Sequence, residues 1–163
     1  MRKIRTTVHA GIYLTILVLA AAFRIAQADD RDDRSVAQAW VDAWNSHDPD
    51  AVEDLFTEDG VYEDVTLGLV NRGPAQIRGY AVFYFTAVPD FRIDLIASSF
   101  KGGHGPIEWV ASGTDQGIYK TGKKFAVRGA TIFDARGTKI SRDSDYYDFA
   151  TLLRQLGLLP PGL

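Results

Sequence analysis

Asp64 and Asp148 are acids set among apolar and aromatic neighbours, and Asp115 ends a strand face of apolar or small residues. An Asp in such surroundings is either paired or shifted in pKa. A shifted Asp can act as general acid or base near neutral pH. Each has a plain competing reading, because an Asp at a strand end is ordinarily solvated or caps a turn. Strand parity separates the two, since side chains alternate between faces. Ile107, Trp109, Ala111, Gly113 and Asp115 share one face, which aims Asp115 into a cavity near its open end. Ile140, Arg142, Ser144, Tyr146 and Asp148 share another, so Tyr146 and Asp148 read as inward. Ser141, Asp143, Asp145 and Tyr147 then read as the solvent side. Tyr62 and Asp64 share a face whose direction parity alone leaves open. Trp40, Tyr62, Tyr84, Trp109 and Tyr146 are the expected pocket wall; for Trp40 the competing role is core packing.

Other chemistries are missing. There is no Cys, hence no disulfide framework and no Cys-based metal site. His47 and His104 read as surface residues, and no metal-ligand spacing appears. There is no phosphate-cradling Gly loop, no G-x-S-x-G and no Ser/His/Asp set. The expected metal and organic cofactor are therefore none. Arg128 reads as one half of an outward ion pair.

These residues need a scaffold. Val36, Ala39, Trp40, Ala43 and Trp44 recur at helical spacing after Ser35. Asp48 and Pro49 open a second short helix. Val61–Val65 reads as a strand, and Gly73-Pro74 opens a third helix with an aromatic face that includes Tyr80, Tyr84 and Phe85. Four strands joined by Gly turns follow, over 91–101, 106–117, 125–135 and 139–147. A short helix, Phe149–Leu156, stops at Gly157. Consecutive strands with tight turns imply an antiparallel meander. The expected fold is α+β: a cone-shaped, curved antiparallel sheet covered by about three N-terminal helices, with a short C-terminal helix. A pocket inside the cone is where a ligand goes.

The first 28 residues read as a secretory signal. Arg2, Lys3 and Arg5 precede an apolar run from Ile12 to Phe23, and Ala26-Gln27-Ala28 follows. Ala20-Ala21-Ala22 offers a second cut, and an uncleaved anchor is the alternative. The expected organisation is a leader over 1–28 and one domain over 29–163, exported to periplasm or medium, without stable membrane insertion after cleavage. Loss of Arg2, Lys3, Arg5 and Arg24 leaves 14 basic against 21 acidic residues, a net charge of −7. That argues against nucleic acid as a partner.

Trp40–Phe56 (W-V-D-A-W-N-S-H-D-P-D-A-V-E-D-L-F) and Glu58–Asp64 together resemble the opening of SnoaL-like polyketide cyclases, within the nuclear-transport-factor-2-like superfamily. Gly113-Thr114-Asp115-Gln116-Gly117, Thr121-Gly122-Lys123 and the ending from Lys139 to Gly157 resemble it too. In that family an Asp before the last helix is the acid/base, and Asp148 matches its place. The inward strand position that is often His is Asp115 here. In the related ketosteroid isomerases an Asp base lies in a V-E-D-like strand, which Asp64 matches. Their oxyanion site uses a Tyr and a protonated Asp. Trp40 and Gly129 fall near those places, and a Gly supplies no acid, which argues against a strict steroid isomerase. The resemblance implies proton abstraction beside a carbonyl in a small apolar or aromatic substrate, leading to cyclisation or isomerisation. A binding protein that uses the same pocket without chemistry is the alternative, and a homodimer through the open sheet face is a further implication.

Overall fold

The computed structural model describes residues 36–160. The expected leader, residues 1–28, lies outside them. Helix α1 spans 36–46 and buries Val36, Ala37, Trp40, Val41, Ala43 and Trp44. His47, at φ 57°, ends it. This residue is half-buried, contrary to the surface reading: its ring stacks on Phe85 at 4.9 Å and its Nε2 lies 2.7 Å from the Phe91 carbonyl. Helix α2, Pro49–Glu53, begins where Asp48 accepts from the Asp50 amide at 3.0 Å.

Strands β1 (Phe56–Asp64) and β2 (Leu69–Arg72) form a hairpin, and helix α3 (Pro74–Ala87) follows. Then come β3 (Arg92–Ser98), β4 (His104–Thr114), β5 (Lys124–Arg136), β6 (Lys139–Tyr147) and helix α4 (Phe149–Leu156). Gly157 closes α4 in the left-handed region, φ 72°, as its position predicts. The sheet is open, in the order β2-β1-β6-β5-β4-β3. It is mixed rather than wholly antiparallel, because β6 returns to the middle of the sheet and pairs parallel with β1. The short exposed edge strand β2 carries no marked alternation and was absent from the sequence reading.

The inner sheet face and the helices enclose the core. Trp40 of α1 packs on Phe133 at 5.6 Å and Trp109 at 6.4 Å. Gly129 lies opposite Trp109 in register. A Cβ there would sit 2.3 Å from the indole, so this glycine makes room for the ring. On the outer face Arg128 pairs with Glu108 at 2.6 Å, the expected outward ion pair. No helix among the described residues is long and apolar enough to cross a membrane.

Candidate functional site

The face of β6 is set by one irregularity. Ala135 pairs with Ile140, but Asp134 pairs with Arg142, so Ser141 is an extra residue on β6. Its Oγ donates to the Asp134 carbonyl at 3.0 Å. An extra residue inverts the alternation beyond it. Ile140 therefore points inward, and so do Asp143, Asp145 and Tyr147, which simple parity had assigned to solvent. Asp143 is 0% and Asp145 6% exposed, whereas Tyr146 is 41% exposed and lies on the outer face. The expectation of Tyr146 in the pocket wall is corrected by the same bulge.

The parallel pairing of β1 with β6 sets Asp64 directly beside Asp145. Both line a cavity of about 70 Å³. Trp40, Trp44, Tyr62, Tyr80, Tyr84, Trp109 and Tyr147 line it. Phe149 and Leu152 from α4 also line it.

Each inward acid has a defined set of donors. Tyr62 donates to Asp145 Oδ2 at 2.8 Å, and Thr131 donates to Oδ1. Trp109 Nε1 donates to Thr131 Oγ1 at 2.8 Å, which orients that hydroxyl toward Asp145. Trp40 Nε1 donates to Asp143 Oδ2 at 2.8 Å. Asp143 Oδ1 has no partner as a carboxylate. Full burial and the charge of Asp145 push Asp143 well above the usual carboxylate range. With the two carboxyls two residues apart on the inner face of β6, Asp145 gives up its proton first and the pair keeps one, held by Asp143. Burial pushes Asp145 up to about 6, against the lowering effect of Thr131 and Tyr62. Asp64 accepts from the Leu67 amide at 2.9 Å and from Tyr147 Oη at 3.0 Å. Burial still outweighs those donors and raises its pKa.

The other two predicted acids are in structural places. Asp148 is exposed and caps α4, accepting from the Thr151 amide at 2.9 Å and its hydroxyl at 2.6 Å. Those bonds hold its carboxyl below the usual range. Asp115 is buried but does not line the cavity. It clamps the β4–β5 loop, accepting from the amides of Tyr119 and Thr121 and from the Thr121 hydroxyl. Burial works against its charge, but these donors win and lower its pKa. His104 is exposed and lies 2.5 Å from Asp134. No group of three His, Cys, Asp or Glu among the described residues could hold a metal.

The buried carboxyls have a consequence for stability. A carboxyl whose pKa is raised on folding binds its proton more tightly in the native state. Its stabilising effect is present below 3.8 and is lost as pH rises through about 6 for Asp145. The melting temperature should therefore be higher at pH 5 than at pH 7.5, with Asp145 contributing the equivalent of on the order of 1 kcal/mol and Asp143 adding in the same direction. Asp90, Asp115 and Asp148, lowered below 3.8, do not contribute to a slope in that window. A flat or rising melting curve between those pH values would count against buried, proton-holding acids.

The comparisons with known proteins agree with this architecture. The SnoaL-like polyketide cyclase family matches residues 34–156. A protein with a ketosteroid isomerase-like fold from Catenulispora acidiphila, described in complex with trimethylamine, is 32% identical with a TM-score of 0.70. The match covers 76% of this chain and 93% of that one. A phenazine biosynthesis-related protein from Pseudomonas aeruginosa is 21% identical with a TM-score of 0.70, covering 86% and 95%. TsrD from Streptomyces laurentii is 22% identical with a TM-score of 0.66, covering 80% and 98%. No curated protein matches the chain. By a family match that spans most of its length, on the fold those structures share, the chain belongs to the SnoaL-like polyketide cyclases.

Proposed function

We propose that the protein is a cofactor-independent enzyme that abstracts a proton beside a carbonyl group, with Asp145 as base and Asp64 as the neighbouring carboxylate. The observation that carries this reading is the β1–β6 register, which sets two buried carboxylates side by side in an aromatic cavity. The Asp145 carboxylate takes the proton as the C–H bond breaks, leaving an enolate. Protonated Asp145 then returns the proton to another carbon in an isomerisation. In a cyclisation the enolate attacks a second carbonyl, and Asp145 protonates the resulting alkoxide. Tyr84 is the donor for the enolate oxygen. It lines the cavity, its hydroxyl bonds no described residue, and burial keeps its proton in place. Trp40 and Tyr62 also line the cavity, but their protons are directed at Asp143 and Asp145. A relative described with a small amine bound supports a ligand-holding cavity.

The test is proton exchange. Small aryl ketones are incubated with the protein in D2O, and deuterium at the carbon beside the carbonyl is read by NMR. Catalysed exchange is expected for ketones that quench the cavity tryptophans. Ketones that bind and return unexchanged would leave a binding protein instead. Export belongs to the same proposal and rests on the leader-like residues 1–28; a protein whose N-terminus is still intact in the cell would contradict it. So does a homodimer through the outer sheet face, where Ile132 and Tyr146 are exposed. Sedimentation showing only monomer at high concentration would remove that part.

A further inference from the structure

The charged side chains among the cavity's described lining residues are all acidic. Asp64 and Asp145 open onto the cavity, and no Lys, Arg or His is among the described residues that line it. Asp143, two residues from Asp145 on the same face of β6, lies behind it. With burial keeping Asp143 protonated, two negative charges remain when Asp64 and Asp145 ionise. A carboxylate or phosphate entering this weakly screened space is repelled at short range. The wall adds to that preference. Eleven of the nineteen lining residues are aromatic. Aromatic faces carry negative electrostatic potential and attract cations. Trp44 sits at the centre of this wall, with ring centroids of Tyr62, Tyr80, Tyr84 and Phe91 between 5.8 and 6.3 Å away.

The geometry points to a ligand that carries an alkylated ammonium group, seated beside Asp64 and Asp145 against the faces of the Trp44 and Tyr80 rings. Anionic ligands are excluded. The inference rests on the reading of this cavity as the ligand site, but on no catalytic step. For a carbonyl substrate it narrows the class to amino ketones and their relatives.

A bound cation favours ionised Asp145, so its affinity depends on pH. The groups facing Asp145 are Asp143 and Tyr147 on its own strand, Tyr62 and Asp64 from β1, and Tyr80 and Tyr84 from α3. From β5 comes Thr131, an uncharged donor. Burial holds the protons on these phenols through the neutral range, so only carboxyls titrate there. Cation affinity should rise with pH through about 6.

The test uses three probes of similar size: benzyltrimethylammonium, its uncharged carbon isostere neopentylbenzene, and phenylacetate. Binding is read by quenching of Trp40, Trp44 and Trp109, all of which line the cavity. At pH 7.5 the cation is expected to bind about tenfold or more tightly than the isostere, and phenylacetate more weakly than both. Cation affinity is expected to fall severalfold from pH 7.5 to 5. Asp64→Asn and Asp145→Asn should each erase most of the preference while still binding the isostere, which reports an intact cavity. An isostere that binds as tightly as the cation overturns the inference. So does a cation affinity indifferent to pH in the unaltered protein, or failure of all three probes to bind. Cation preference without ketone exchange would sink the catalytic reading alone.

Discussion

Asp145→Asn is expected to lower the rate of ketone proton exchange by roughly 10²–10⁴-fold, the range that a positioned general base contributes. The same variant should melt at the same temperature or higher at neutral pH. Asp145 is 6% exposed with Asp143 and Asp64 as its carboxyl neighbours, and Asn relieves that repulsion while occupying nearly the same volume. The combination separates a lost base from a damaged fold. A variant that loses activity and stability together would point to a structural Asp145. Full activity in the variant would move the base to Asp64, whose own Asn variant is then the informative one.

Trp40→Ala is expected to produce the largest loss of stability, about 3–5 kcal/mol. The ring is 1% exposed and packs against Trp44, Trp109 and Phe133. Its Nε1 is also the donor to Asp143. Trp40→Phe keeps most of the ring and removes the donor, leaving Asp143 without that partner in the interior. That variant should lose about 1–3 kcal/mol, measured by denaturant unfolding. Its loss should shrink when Asp143→Asn is added, because the unsatisfied acid is then gone. Additive losses would mean that the Trp40–Asp143 bond contributes little of its own.

Much of the scaffold is legible in the sequence because it rests on local chemistry. Asp48 with Pro49 starts α2, and Gly157 stops α4, through preferences that act within a few residues. The apolar spacing of α1 predicts Val36, Trp40, Ala43 and Trp44, which are buried; Ala39 is half-buried, and Ala37 and Val41 are buried outside the predicted set. Asp64 and Tyr62 were recognised as a pair on one face, and the structure puts both in the cavity. The partner of Asp64 was not recognised. Asp145 was hidden by the extra residue at Ser141, which no glycine or proline marks and which only the cross-strand register exposes. The parallel pairing of β1 with β6 joins segments about 80 residues apart, beyond any local pattern. Asp148 did carry a signal for its observed place. An Asp just before a helix with Thr three residues on is a capping arrangement, and Thr151 supplies both donors. Asp115 is similar: Thr121 follows after a loop and accounts for two of its bonds.

Above about pH 6 the Asp143–Asp145 pair keeps one proton, on Asp143 behind the cavity, while Asp145 is ionised and able to accept a proton from a substrate. Carboxyl-carbon NMR of the protein labelled at Asp, titrated from pH 3 to 8, tests this directly. One resonance, absent in Asp145→Asn, should titrate with a midpoint near 6. A second, absent in Asp143→Asn, should stay protonated well above the usual carboxylate range. If every carboxyl in the protein were ionised by pH 5, the retained proton would not exist and the account of the site would be contradicted.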